Sequence, residues 1–221
     1  MRIDILTLFP EMFSALKSSL IGKAQEKNLV EINIIDFREF SQDKHKKVDD
    51  YPFGGGAGML LKVQPLFDAV NSIKTPNSKV ILLSPRGRTY NQSIVKEYSK
   101  LNHIILVCGH YEGVDERFIE LCVDEELSVG DYVLTGGEIP AMIVADSVCR
   151  YIDGVLHNAE TVSEESFSSN LLEYPQYTRP QEFMGLTVPE VLLSGNHQEV
   201  EKWRKEKSIE ITKKRRPDLL K

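Results

Sequence analysis

Cysteine, tryptophan and long apolar runs are all scarce in this chain. Its three cysteines, Cys108, Cys122 and Cys149, include no Cys-x-x-Cys pair. That excludes a disulfide framework and a paired-cysteine zinc site, and it fits a reducing cytoplasm. The five histidines are scattered without a His-x-x-x-His spacing, so no metal centre is read from them, and His103 and His110 read as satisfied structural residues. No stretch approaches the roughly 20 apolar residues of a membrane helix. Met1-Arg2-Ile3-Asp4-Ile5-Leu6 carries an acid and no small-residue cleavage site, so it reads as a first strand rather than a signal peptide. Two phosphate-loop signatures are missing as well. No Gly-Lys-Ser/Thr follows a glycine-rich loop, and no Gly-x-Gly-x-x-Gly follows the first strand. A Walker-type site and a dinucleotide dehydrogenase are thereby set aside. Internal repeats and low-complexity tracts are absent too.

What is present is a 221-residue chain that is 41% hydrophobic, enough to bury a core of one or two domains. The net charge of −6 argues against a nucleic-acid partner. The total hides an asymmetry, because Lys202 to Arg216 holds eight basic residues against only Glu206 and Glu210. A phosphate backbone feels such a local patch, although a solvated helix face would look the same.

Ile3–Phe9, Val30–Ile35, Lys79–Leu83 and His103–Cys108 read as buried strands, and Asp131–Leu134 as a short fifth. Helical spacing follows Pro10, and it recurs over Gln64–Ser72, Thr89–Leu101 and Glu138–Tyr151. Helices between strands predict an α/β fold with a parallel sheet flanked by helices. Residues 1–158 form the expected main domain and 159–170 a polar, acidic connector. Residues 171–221 form the expected small helical domain, with a basic helix over Glu199–Ile211 that carries Trp203.

The stretch from Val107 to Arg150 organises the rest. It holds three glycine-bearing turns, at Cys108-Gly109-His110, Ser128-Val129-Gly130-Asp131 and Thr135-Gly136-Gly137-Glu138. Glycine lets main chain approach a ligand closely, so these turns predict a pocket built mostly of backbone. Ser84-Pro85-Arg86-Gly87 and Cys108-Gly109-His110 also fall at the carboxyl ends of strands, where open α/β sheets bind ligands. A further loop, Tyr51-Pro52-Phe53-Gly54-Gly55-Gly56-Ala57-Gly58-Met59, has basic and aromatic residues ahead of its glycines, as nucleic-acid contact loops do. Charge pairing at a helix start is the reading favoured for Glu116, beside Asp115 and Arg117.

These motifs carry a resemblance. Cys108-Gly109-His110-Tyr111-Glu112-Gly113-Val114-Asp115-Glu116-Arg117 is similar to the CG-x-YEG-x-DER signature of the TrmD family, the bacterial tRNA (guanine-N1)-methyltransferases. Ser128 to Met142 resembles that family's second signature. Val48-Asp49-Asp50 with Gly54–Met59, Tyr177-Thr178-Arg179-Pro180 and Leu192-Leu193-Ser194-Gly195-Asn196-His197 resemble others in the same order. The likeness runs from Leu8 to Pro217. It implies the SPOUT class, with a C-terminal trefoil knot in the sheet domain, and a homodimer whose active sites lie at the subunit interface. It implies methyl transfer from S-adenosylmethionine to N1 of guanine 37 in tRNA, with magnesium dependence.

The resemblance also implies site residues. Glu165 stands at the general-base position, where the family more often has aspartate, and Arg150 at the position that steadies charge on O6. The cofactor pocket falls on Pro85, Gly87, Gly109, Tyr111, Glu112, Gly113, Ser128, Val129, Gly130, Tyr132, Leu134, Gly136, Gly137 and Pro140. RNA contacts fall on Asp50, Gly54, Gly55, Gly56 and Gly58, and on Lys213, Lys214, Arg215 and Arg216. Tyr51, Phe53 and His157-Asn158 depart from the usual pattern. The alternative is a non-catalytic RNA-binding or nucleotide-sensing protein on the same scaffold, and Glu165 in place of aspartate is the feature that favours it.

Overall fold

Strands buried on both faces read as unbroken apolar runs, and His103-Ile104-Ile105-Leu106-Val107-Cys108 is buried at every position. It is the middle strand of the sheet. The computed structural model describes residues 1–156 and 165–220. Residues 159–164 of the expected connector, with Glu164 and His157-Asn158, lie outside the described residues. The chain divides into two compact units, Met1–His157 and Asn158–Lys221.

In the first unit, β1 (Arg2–Thr7) is followed by a 3₁₀ helix, Pro10–Lys17, and by α1 (Ser19–Glu26). Next come β2 (Glu31–Asp36), a short antiparallel pair β3 (Asp49–Asp50) and β4 (Leu60–Leu61), and α2 (Val63–Ile73). Then follow β5 (Ser78–Thr89), α3 (Gln92–Tyr98), β6 (His103–Cys108), α4 (Glu116–Cys122), β7 (Glu125–Ser128) and α5 (Glu138–Cys149). Five strands form one parallel sheet in the order β2-β1-β6-β5-β7.

Side chains alternate across a strand with a period of two, and the core divides accordingly. Ile3, Ile5, Ile81, Leu83, Ile104 and Leu106 pack on one face with Ile94, Tyr98, Ala141, Val144 and Val148. Leu6, Val80, Leu82, Ile105 and Val107 pack on the other with Leu66, Ala69, Val70, Phe118 and Cys122. α3 and α5 thus cover one face, and α2 and α4 the other. Two helix starts are capped by side chains. Asn91 accepts from the Ser93 and Ile94 amides ahead of α3, and Asp115 accepts from the Arg117 amide ahead of α4.

In the secondary structure of the first unit, the main departures from the sequence expectations are three. The helix after Pro10 is 3₁₀ to Lys17, and α1 begins only at Ser19, whose φ is +56°. β5 continues to Thr89, past the expected end at Leu83, so the next helix starts only at Gln92, beyond its Asn91 cap. Asp131–Leu134 is not a strand; the fifth strand is Glu125–Ser128. Its glutamates disguised it. At the sheet edge they need no apolar cover, because Lys79 and Arg88 pair with Glu125 and Arg86 pairs with Glu126. Only Leu127 and Ser128 of this strand are buried.

The second unit has a two-stranded hairpin, Glu182–Phe183 with Leu186–Thr187. A 3₁₀ turn follows over Glu190–Leu193, and then a 19-residue helix, His197–Arg215, longer than the expected Glu199–Ile211. Asn196 caps that helix by accepting from the Glu199 amide. The buried Thr212 hydroxyl donates to the Ser208 carbonyl and accepts from the Leu172 amide at 2.8 Å. The Tyr177 and Trp203 rings stand 6.4 Å apart, tilted.

All three thiols are buried. Burial holds Cys108 well above the usual thiol range, raises Cys122, and pushes Cys149 up to about 12. Thiolate is the reactive form. The folded protein at pH 8 is therefore expected to leave Ellman's reagent unreacted over minutes and to release three equivalents once unfolded in guanidinium. Fast labelling of the folded protein would contradict this packing.

Candidate active site

The ends of three neighbouring strands build the site. Near its end β5 leaves the ladder: Leu83 and Arg88 both register with Leu127 of β7, so Ser84-Pro85-Arg86-Gly87 loops outward between them. The loop lies close on its neighbour, and a Cβ on Gly87 would stand 2.3 Å from the main chain of Glu126 and Leu127. β6 ends at Cys108 and turns through Gly109–Gly113, with Tyr111 at φ +60° and Gly113 at φ +122°. β7 ends at Ser128, whose hydroxyl donates to the Gly130 carbonyl at 3.0 Å and accepts from the Gly130 amide at 3.3 Å. The Thr135–Gly137 turn then comes back against β6. The Gly137 amide donates to the Gly109 carbonyl at 2.9 Å, and Gly136 bridges His110. A Cβ on Gly137 would lie 2.6 Å from Cys108 Cα, so only glycine lets α5 start this close to the strand.

Between these turns is a cavity of about 380 Å³. Pro85, Gly109, Tyr111, Glu112, Gly113, Ser128, Val129, Gly130, Tyr132, Leu134, Gly136, Gly137 and Pro140 line it. Gly87, expected beside them, does not; it packs beneath the outward loop on β7. Residues that the sequence reading did not place in the pocket also line it: Ser84, Arg86, Glu116, Glu126, Val133 and Thr135. At the wall, Arg86 reaches Glu116 and Glu126, each at 3.2 Å. The Glu116 hydrogen bond, ahead of the Glu126 charge, raises the Arg86 guanidinium pKa. Glu116 is therefore paired across the cavity rather than along its own helix start. Arg117 instead closes on Asp115 at 2.7 Å and holds that carboxyl below its usual range. Spacing in sequence could not show a partner 30 residues away.

His110 has a polar partner, as expected of a structural histidine. Its Nε2 lies 2.8 Å from Glu138 Oε2, and Glu138 Oε1 accepts from the Thr7 hydroxyl at 2.8 Å. His103 bonds Asp4 at 2.9 Å and Ser78 at 2.7 Å, far along the sheet from these turns.

The glycine-rich loop joins the same site. Glu112 donates its amide to the Met59 carbonyl at 3.0 Å, and Leu61 donates to the Gly113 carbonyl at 3.0 Å. Gly54, Gly55, Gly56 and Gly58 all have positive φ. A Cβ on Gly58 would meet the Glu112 side chain at 2.4 Å. Phe53 and Tyr51 face solvent beside them. Asp50 pairs with Lys62 at 3.5 Å, and its carboxyl is lowered chiefly by the Tyr51 amide. Tyr111 is raised by burial and by the charge of Asp49.

Arg150 is the C-cap of α5, in the first unit. Glu165 belongs to the second unit, as do Lys213, Lys214 and Arg215 in the last turn of the long helix. Arg216, just past it, pairs with Asp218 at 2.7 Å and covers the Phe167 ring.

The family model described as tRNA (Guanine-1)-methyltransferase TrmD matches residues 1–221. A tRNA (guanine-N(1)-)-methyltransferase of Clostridioides difficile (strain 630) is 57% identical, covering 100% of this chain and 98% of the relative. Proteins of the same description from Clostridium botulinum (strain Kyoto / Type A2) and Geobacillus kaustophilus (strain HTA426) are each 56% identical. They cover 100% of this chain, and 92% and 91% of those relatives.

The two glycine contacts predict opposite outcomes. Gly137→Ala forces main chain apart and is expected to cost about 1–3 kcal/mol by urea unfolding. Gly109→Ala, whose Cβ would meet only the Leu83 carbonyl at 3.6 Å, is expected to stay within about 0.5 kcal/mol of the parent. Equal costs would refute the close approach at Gly137.

Proposed function

This chain belongs to the TrmD family of tRNA (guanine-1)-methyltransferases, and from that premise we propose how its residues share the reaction. The enzyme methylates N1 of guanine in tRNA with S-adenosylmethionine as the donor. Family membership decides against the non-catalytic alternative. The observation that carries the site assignment is the cavity of glycine turns at the carboxyl ends of β5, β6 and β7.

S-adenosylmethionine brings a sulfonium-bound methyl group. Its size suits the cavity of about 380 Å³, and a flat adenine suits walls of main chain that can both enclose it and hydrogen-bond its edge. Gly109, Gly130, Gly136 and Gly137 let the backbone come within that reach. Tyr111, Glu112 and Gly113 stand between this cavity and the Gly54–Met59 loop, which receives the target base. The base leaves its stack to be methylated, as base-modifying enzymes require. The position is guanine 37, next to the anticodon.

Guanine N1 carries a proton at neutral pH, so the acceptor must lose it as the methyl arrives in line with the departing sulfur. Glu165 takes that proton, a contribution on the order of 10²–10⁴-fold. Arg150 steadies the negative charge that then builds on O6. Glu165 serves the site of the partner subunit, so the functional enzyme is a homodimer. Exposed apolar residues Tyr132, Val133, Leu134, Ile139 and Ile143 support this, as an uncovered apolar patch marks an interface. In this reading residues 1–158 are the donor-binding domain with a trefoil knot in its C-terminal part, 159–170 connect, and 171–221 hold tRNA. Lys213, Lys214, Arg215 and Arg216 contact phosphates and position the substrate. Among the described residues no group of three His, Cys, Asp or Glu side chains could hold a metal. No helix among them is long and apolar enough to cross a membrane, and the reaction is assigned to the cytoplasm, where the reduced cysteines fit.

Glu165→Gln and Arg150→Ala are expected to bind S-adenosylmethionine nearly normally by calorimetry. Single-turnover methylation should fall at least about 100-fold in Glu165→Gln. Near-normal turnover in either variant would remove its assigned role. Replacing Lys213, Lys214, Arg215 and Arg216 together by alanine should flatten the salt dependence of tRNA binding, by a slope of about 3–4 if each meets a phosphate. An unchanged slope would move the contact surface elsewhere.

A further inference from the structure

Glu138 is only 2% exposed, and a buried carboxyl needs every oxygen answered. An ionised carboxylate can only accept, so both of its neighbours donate. The Thr7 hydroxyl donates to Oε1, and the imidazole Nε2–H of His110 donates to Oε2, each at 2.8 Å. Thr7 Oγ1 in turn accepts from the Phe9 amide at 2.9 Å. As the first residue of α5, Glu138 also lies where the helix dipole favours a negative charge.

The three partners sit on three different elements: the end of β1, the turn after β6 and the start of α5. Neither Glu138 nor Thr7 lines the cavity, but His110 does, and so do Gly136 and Gly137 immediately before Glu138. The fit is tight. A Cβ on Gly136 would lie 2.2 Å from His110 Nε2 and 2.5 Å from Glu138 Oε2. The carboxylate therefore fixes the distance between two cavity-lining turns from behind.

We propose that Glu138 is a positioning residue for S-adenosylmethionine: by holding His110 and Thr7 it sets the Gly109–Gly113 and Thr135–Gly137 turns at the spacing that the donor needs. This rests on the assignment of the cavity as the donor site. The same fold supplies a control. Asp4 is equally buried and is bonded by His103, Arg2 and Asn33, yet none of these four lines the cavity. The chemistry is alike, but only one cluster touches the site.

The test compares Glu138→Gln, His110→Gln, their double variant and Asp4→Asn in the full-length enzyme. Calorimetry gives the Kd for S-adenosylmethionine, steady-state methylation gives KM and kcat, and scanning fluorimetry gives ligand-free Tm. Glu138→Gln and His110→Gln are each expected to raise the donor Kd and KM by about tenfold, with kcat at saturation within about threefold. The double variant should be little worse than the weaker single, because the two residues act as one unit. Asp4→Asn should lower Tm but leave the Kd within about twofold. Should Glu138→Gln not fold, His110→Gln, at a partly exposed position, still reads the pair. A normal Kd in both single variants, or an equal rise in Asp4→Asn, overturns the proposal. Leu134→Trp, which fills the cavity, separates the two claims. Normal donor binding in Leu134→Trp overturns the site assignment itself. Lost binding there with normal binding in Glu138→Gln and His110→Gln overturns the positioning role alone.

Discussion

A parallel sheet turns every strand end of one kind toward the same edge, and the site depends on that constraint. β5, β6 and β7 deliver their carboxyl ends to the cavity, with the end of β1 behind it, so their loops must share one rim. Side chains would crowd it. The chain answers with glycine at the closest approaches: Gly87 against β7, and Gly136 and Gly137 against the turn after β6. At those approaches the cavity wall is main chain. Such a wall can grip an adenine edge without ordering flexible side chains on binding, which lowers the entropic cost of association.

Charge is placed with the same economy. A carboxylate is buried behind the rim, answered by a hydroxyl and an imidazole, and an arginine bridges two glutamates on the cavity wall. The buried group is fully hydrogen-bonded and carries directional information; the exposed bridge is screened and adds little to stability. Arg150 and Glu165, the residues proposed to carry the chemistry, belong to different compact units.

How much of this could be read from the sequence varies by element. His103–Cys108 was legible because a strand covered on both faces is an unbroken apolar run after its first residue, His103. The glycine turns were legible because glycine in a fixed pattern beside a buried strand has few other uses. Glu125–Ser128 was not, since an edge strand with paired glutamates shows neither apolar run nor clean alternation. Asp131–Leu134 misled for the converse reason. Its apolar residues line or border a cavity and an exposed face rather than a ladder. The links Glu116–Arg86 and Glu138–Thr7 were invisible because partners 30 and 131 residues apart meet only through the topology. Pro85 and Gly87 sit two residues apart yet differ in role, one lining the cavity and the other packing beneath the loop, a distinction that only the register shift in β5 reveals.

Backbone turns at the strand ends are proposed to hold the methyl donor. Hydrogen exchange of the enzyme with and without saturating S-adenosylmethionine tests it most directly. Slowed exchange is expected to concentrate in residues 109–113 and 128–137, with little change across the first turn of α1 or the far ends of the strands. Protection centred elsewhere, with those two segments exchanging as fast as in the free protein, would contradict it.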